Sequence, residues 1–382
     1  MFKRFFTALL AVFITAFSAL QVRAQAVPPA IDSIMKKFDA VGLSVAVVKK
    51  GKLVYTGSFG WKNREQQLPL KDQDIFRIAS ISKSFSATSI MQLADAGKVS
   101  LDDDFSKLIG FKVRNPKFPE TVITLRMVLS HTSSLNDSQG YFTLDVIDPA
   151  KNPNAAKCYN DYEPGKGYQY CNLNFNMVGT VIEKVSGERF DQYVKRHILD
   201  PLKLYGGYCV DSLDKNRFVT LYEWDGKTKT FTPAPGAYNP RSGEIRNYVM
   251  GYSTPVFSPT GGMKISAGDL ARYMIMHMNY GKTGAGRILS KKSAVAMQTP
   301  VSDGEGGYGL ALRSANDLVP GKKMTGHTGS AYGLYSSMFF DPKEKFGFVT
   351  ITNGCNPVYN EDMPQLTRDL IAALYREFIA GR

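Results

Sequence analysis

The sequence predicts an α/β protein in which an antiparallel sheet flanked by helices carries a mostly helical inserted lobe. Three observations carry that expectation. Strand-period segments stand at both ends of the chain, and helix-period segments fill the middle, from Ser80 to about Asn279. The 382 residues are 43% hydrophobic and 12% aromatic, enough to bury one large core or two closely packed lobes and too apolar for a disordered chain.

The elements follow in order. After Pro28-Pro29, Ala30 to Phe38 reads as an amphipathic helix. Leu43 to Val48, a turn at Gly51 and Leu53 to Phe59 form a hairpin. Helical periods then cover Phe85 to Ala96, Thr124 to Ser130, Asn172 to Val185, Phe190 to Ile198 and Ala267 to Asn279. One excursion hairpin interrupts them, Arg217 to Phe231, turning at Asp225-Gly226. Strands return at Gly333 to Phe340 and Phe346 to Thr352, and a helix from Asp362 to Ile379 closes the chain. The α/β lobe is therefore expected from about 25–79 and 300–382, the helical lobe from about 80–299, with a ligand cleft between them.

Residues 1–24 read as a cleavable signal peptide: Lys3 and Arg4, an apolar run from Phe5 to Leu20, then Val22-Arg23-Ala24 with small residues flanking the cut. The expected location is periplasmic or secreted, with no stable membrane anchor once the leader is removed. Cleavage takes away three basic groups and lowers the formal charge from +13 to +10. That excess is scattered rather than run together, so nucleic acid is not an expected partner. Four cysteines, Cys158, Cys171, Cys209 and Cys355, have no zinc-site spacing; Cys158 with Cys171 is the candidate disulfide, the connectivity being open.

Ser-x-x-Lys places a hydroxyl and an amine one helical turn apart, and it occurs three times. Ser33 and Lys36 lie on the wet face of the first helix, and Ser212 and Lys215 in a polar loop. Only Ser80 stands at a strand-to-helix junction with free backbone N–H groups, and only Lys83 sits among small and aromatic residues where burial could hold an amine partly neutral and so able to accept a proton. The plain alternative is an N-capping serine beside an exposed lysine. Tyr170-Cys171-Asn172 is the chain's one Tyr-x-Asn, offering a phenol that neighbouring cations could turn into a base, or simply a packed capping turn. Gly326-His-Thr-Gly-Ser330, ahead of a strand, offers an open strand edge and a free N–H for an oxyanion. The competing Lys282-Thr283-Gly284 is read as a loop with no strand to present it. His197 and His277 read as packed or surface helix residues, His131 as a structural hydrogen-bonding residue. No nucleophile elbow, metalloprotease helix or phosphate loop occurs.

Ser-x-x-Lys, Tyr-x-Asn and His-Thr-Gly in this order resemble the serine β-lactamase and penicillin-binding protein family, in its class C and D,D-peptidase branch. The likeness extends through Arg77 to Lys83, Leu129 to Ser133, Pro164-Gly165, Gly261-Gly262, Asp269-Leu270-Ala271, Tyr308-Gly309-Leu310 and Gly326 to Pro342, nearly the whole chain after the leader. The resemblance implies an acyl-enzyme on Ser80, with Lys83 and Tyr170 sharing proton transfers and Lys83 supporting an ionised Tyr170. It implies that Asn172 holds the substrate amide and that His327, Thr328, Gly329 and Ser330 bind the substrate, with His327 and Thr328 on a carboxylate. Backbone N–H groups of Ser80 and Ser330 would form the oxyanion hole. No cofactor and no metal are implied. The expected substrates are small molecules or peptides, anionic ones among them: D-Ala-D-Ala-type peptides or β-lactams, with a carboxylesterase or a non-catalytic penicillin-binding sensor as alternatives. Two departures stand out: His327 replaces the lysine usual in class C β-lactamases, and Thr132-Ser-Ser-Leu135 replaces Thr-Ser-Gly-Leu.

Overall fold

The computed structural model describes residues 28–381 apart from 285 and 362, so the leader reading falls outside the described residues. Helix α1 (Pro29–Lys37) leads into strands β1 (Gly42–Lys49), β2 (Lys52–Asn63) and the short β3 (Leu68–Pro69). The middle of the chain supplies helices α2 (Ser82–Asp95), α3 (Asn172–Ser186) and α4 (Ala267–Met278) among shorter turns. Strands β4 (Arg313–Ala315), β5 (Met324–Ala331), β6 (Leu334–Asp341) and β7 (Phe346–Thr352) follow, then α5 (Gln365–Leu374). The large sheet is antiparallel in the order β4-β5-β6-β7-β1-β2-β3. The two chain ends meet where β1 pairs β7, Leu43 opposite Thr352 and Val48 opposite Gly347.

Successive strand side chains alternate between faces, and here both faces are covered. Leu43, Val45 and Val47 of β1 join Phe346 and Phe348 of β7 and Leu366, Leu370 and Ile371 of α5 in one core. Ala46 and Val48, with Val349 and Ile351, face Leu270, Met274 and Met278 of α4 in the other, which continues into α2 and α3.

Helix boundaries shift for local reasons. Helix α2 starts three residues before its apolar period because a 3-10 turn, Ala79–Ile81, feeds it directly. Helix α5 starts only after Pro364, whose ring cannot donate to a preceding turn. The excursion hairpin pairs only Tyr222–Asp225 with Thr230–Pro233, across a loop in which Asp225 Oδ1 accepts from the Lys227 and Thr228 amides. Lys282-Thr283 is not a plain loop, since it forms a two-residue ladder with Gly286-Arg287. The His-Thr-Gly segment lies within β5 rather than ahead of a strand.

The candidate Cys158–Cys171 disulfide is not formed: all four cysteines are free and buried. Cys158 Sγ donates to the Val146 carbonyl at 3.3 Å, while Cys171 Sγ points to Asp137 Oδ1 at 3.3 Å. Each thiol thus has its own partner. Alkylation in denaturant without reductant should therefore modify all four cysteines, and alkylation of the native protein should be slow at every one. Mass spectrometry showing two unreactive thiols in the denatured chain would restore a disulfide.

Candidate active site

Ser80 sits on a turn that three groups hold from behind. The Ile78 amide donates to Met263 O (2.9 Å), Ser82 Oγ donates to Ala79 O (2.5 Å), and Ser336 Oγ of β6 donates to Ile78 O (3.0 Å). Ala79 is forced to φ 50, a left-handed conformation costing a residue with a Cβ about 1–2 kcal/mol. Such strain survives only where the surroundings over-determine it, and here it presents Ser80 on the turn just ahead of α2.

One turn on, Lys83 is fully buried. Its Nζ donates to Asn172 Oδ1 (2.8 Å), Thr260 O (3.1 Å) and Ser80 Oγ (3.2 Å), and stands 4.6 Å from the centre of the Tyr170 ring. Burial lowers its pKa to about 7, and the charge of Asp137 opposes the shift most. Tyr170 keeps some surface, but its hydroxyl is enclosed, and burial holds its pKa well above the ordinary phenol value while the Ser80 hydroxyl pulls it down. Burial outweighs the hydrogen bond from Ser80, so the expected ionised Tyr170 is not what this site favours. A neutral phenol beside a readily deprotonated amine is.

His131 explains how Tyr170 is placed. Its Nδ1 accepts from the Cys171 amide (3.1 Å), its carbonyl accepts from the Gln169 amide (2.9 Å), and its ring lies 4.4 Å from that of Tyr170. It is the structural residue expected. His197 meets Glu188 at the surface and His277 is packed beside Thr88 and Tyr273. Ser33 and Ser212 are exposed, away from this cluster.

Asn172 begins α3 and is already engaged on both sides: its Oδ1 accepts from Lys83 and from Thr260 Oγ1 (2.9 Å), and its Nδ2 donates to Asp137 Oδ2 (2.9 Å). Asp137 also accepts from the Asn172 and Leu173 amides, satisfying the orphan donors of the α3 N-terminus. Asp137 and Thr260 were not singled out from the sequence. Asp137 lies just past the Thr132–Leu135 segment and Thr260 just before Gly261-Gly262, so proximity to family-like stretches was the available signal. In that first segment Ser134, which stands at the glycine position of the motif that the segment resembles, adopts φ 60, and Asn115 Nδ2 donates to its Oγ at 3.0 Å, so the loop holds a left-handed residue that carries a side chain.

Strand β5 passes directly over the Ser80 turn. A Cβ on Gly329 would stand 2.3 Å from Ile78 O and 3.2 Å from the Ser80 amide nitrogen, so no larger residue fits. Thr328 is half-buried and Ser330 exposed, at the end of β5 that β4 leaves unpaired. His327 is buried. A carbonyl can only accept, so Nδ1 carries the hydrogen it gives to Thr328 O at 2.5 Å, and Nε2 faces the Tyr308 hydroxyl at 3.0 Å. Burial, then the neighbouring Lys83 and Arg313, lower its pKa to about 3. His327 is therefore a neutral ring at ordinary pH, because it is buried and the charged groups that reach it, Lys83 and Arg313, are cations rather than carboxylates.

A seven-stranded antiparallel sheet with helices on both faces, and a Ser–Lys–Tyr–Asn cluster under one strand end, define the class of β-lactamase and transpeptidase-fold proteins. The chain belongs to the beta-lactamase family, whose model matches residues 30–372. Among its relatives is penicillin-binding protein 4 of Amycolatopsis lactamdurans, 28% identical over 366 residues, covering 90% of this chain and 88% of that one. Protein flp of Staphylococcus aureus strain MW2 is 22% identical over 91% of this chain, which spans 65% of that relative's length. The solved structure of EstCE1, a hydrolase with promiscuous acyltransferase activity, superposes with a TM-score of 0.72 at 21% identity, over 91% of this chain and 97% of that one. Members of this fold family are generally serine hydrolases.

The site geometry sets a pH dependence. If neutral Lys83 is the reactive form, kcat/KM should fall as pH drops through about 7. Because Asp137 stabilises the ammonium, Asp137→Asn should move that acid limb to lower pH, whatever it does to the maximum rate. An acid limb that stays in place in the variant would separate Asp137 from Lys83.

Proposed function

We propose that this protein is a serine acyl hydrolase that forms an acyl-enzyme on Ser80 from amide or ester carbonyls, peptide-like amides of the D-Ala-D-Ala type and β-lactams leading. The observation that supports it most is the buried Lys83 amine, 3.2 Å from Ser80 Oγ and depressed to a pKa of about 7. Ser80 Oγ attacks the carbonyl carbon as its proton passes to neutral Lys83. The tetrahedral oxyanion is held by backbone N–H groups of Ser80 and Ser330. Collapse breaks the bond to the leaving group, which takes its proton from the Tyr170 hydroxyl, and Lys83 returns a proton to the phenol. Water then repeats the sequence to release the acid. Asn172 aligns Lys83 and, with Thr328, receives the substrate amide. The leader-like residues 1–24 support action outside the cytoplasm.

A second reading, hydrolysis of neutral esters, is favoured by the uncharged His327, which offers a substrate carboxylate a hydrogen-bonding partner but no cation. The ratio of kcat/KM for an anionic peptide or β-lactam to that for a neutral ester should then stay constant across neutral pH. A ratio that falls on the alkaline side and is carried to higher pH by His327→Lys would return a charged His327 and a carboxylate substrate.

The nucleophile is tested separately. Ser80→Ala should abolish covalent labelling by a β-lactam or a fluorophosphonate, while Ser33→Ala and Ser212→Ala should leave it intact. A label mapped by mass spectrometry to another residue would end this reading.

A further inference from the structure

Both tryptophans of the chain line one groove of about 870 Å³, bounded by helix α1, the end of β2 and the excursion hairpin. Trp61 of β2 is 40% exposed. On the hairpin wall Trp224 and Phe231 are cross-strand partners with ring centres 4.8 Å apart, and the Arg64 guanidinium lies 5.4 Å from the Phe231 ring. The volume is that of a ligand pocket, roughly 300–1,000 Å³. Tryptophan is mostly buried in folded proteins, so two that remain accessible in one groove mark a recognition site. None of the lining residues belongs to the Ser80 cluster. The hairpin is nevertheless fixed in place beside it: a Cβ on Gly333, three residues past Ser330, would stand 1.8 Å from the Tyr222 carbonyl oxygen.

The polar groups of the groove decide what fits. Of the charged residues that line it, Lys36 is paired with Asp32 at 2.7 Å and Arg64 faces Glu65 at 3.7 Å, which leaves Asp39 and Lys229, one charge of each sign. Neither indole N–H has a hydrogen-bond partner among the described residues, and neither do the side chains of Asp39, Lys229 and Asn356. The groove therefore combines aromatic faces with unused donors and acceptors and has no net field. An alkyl chain would take water from those polar groups and return no hydrogen bonds. A polyanion or polycation would meet a repelling charge for each attracting one. A pyranose ring matches on both counts, with C–H bonds on its faces and hydroxyls around its edge.

We propose that this groove is a non-catalytic binding site for a neutral oligosaccharide, with sugar rings stacked on Trp61 and Trp224 and hydroxyls met by Asn356, Asp39 and Lys229. The site stands independently of the reaction at Ser80, so either can fail without the other.

Because the two tryptophans both lie here, intrinsic tryptophan fluorescence reports on this groove alone. Titration with cellohexaose, chitohexaose and maltohexaose should give a saturable change with at least one of them. Trp61→Ala, read through Trp224, should weaken that binding roughly two- to tenfold, the range of one aromatic stacking contact. Trp61→Tyr should keep most of it, which separates the loss of a ring from the loss of the fold. Ser80→Ala should titrate as the wild type does. No saturable change with any of the three overturns the proposal, as does binding that Trp61→Ala leaves intact. It is also overturned if Ser80→Ala abolishes binding, which would place the saccharide in the cleft, or if oligogalacturonate binds more tightly than every neutral chain. A spectrum that shifts with protein concentration alone, with dimers in sedimentation, would overturn it by giving the groove to a second copy of the chain.

Discussion

The arrangement depends on keeping one amine out of water. Lowering the Lys83 pKa from its ordinary 10.5 to about 7 corresponds to a penalty on the order of 5 kcal/mol for the buried ammonium. Below pH 7 the folded protein must bury a charge that the unfolded chain keeps solvated. The penalty shrinks as pH rises from about 7 towards 10.5, where the unfolded chain loses its proton too, so this group's contribution to stability rises with pH over that window. The offsets are visible around it: two hydrogen bonds to Asn172 and Thr260, a third to Ser80, and the face of Tyr170. Remove any of these and the amine loses a partner without regaining water.

Each offset is itself held by something further away. Asn172 is fixed by Asp137, and Asp137 by the amides that open α3. The Thr260 segment is held from the other side by Glu183, a buried carboxylate that accepts from Thr254 Oγ1 and from the Phe190 and Gly251 amides. Gly179 lets Pro259 approach α3 so closely that a Cβ would stand 2.3 Å from the proline ring. A long helix with polar residues on one face thus serves as the ruler against which three loops are set.

How much of this was legible in the residues follows from how local each feature is. Ser80 and Lys83 share a helical turn, and Tyr170 and Asn172 share the start of another, so local context set Ser80 apart from Ser33 and Ser212, and the structure brings the four residues together. The sheet strands announced themselves as short runs rich in β-branched and aromatic residues, and β1, β2, β6 and β7 lie within a few residues of where those runs placed them. Protonation states were not legible. The charge of His327 depends on Tyr308, Arg313 and Lys83, and that of Tyr170 on enclosure by segments far away in sequence, none of which declares itself in a motif. The cysteine pairing failed for the same reason: a spacing of 13 residues says nothing of the Val146 carbonyl and Asp137 that satisfy the two thiols instead.

The position of β5 and β6 has a consequence for when the site takes shape. The turn bearing Ser80 is made early in the chain, but the groups that keep Ala79 left-handed and Ile78 in place, Gly329 and Ser336, are among the last to be synthesised. Their strands reach the N-terminal hairpin only through β7, which closes on β1 across about three hundred residues. A nascent chain that has not yet produced residue 323 therefore carries the serine and lysine side by side in sequence but without the scaffold that gives them their geometry. The geometry of the serine–lysine pair is completed by the last strands rather than by the motif, a form of timing set by the order of the chain.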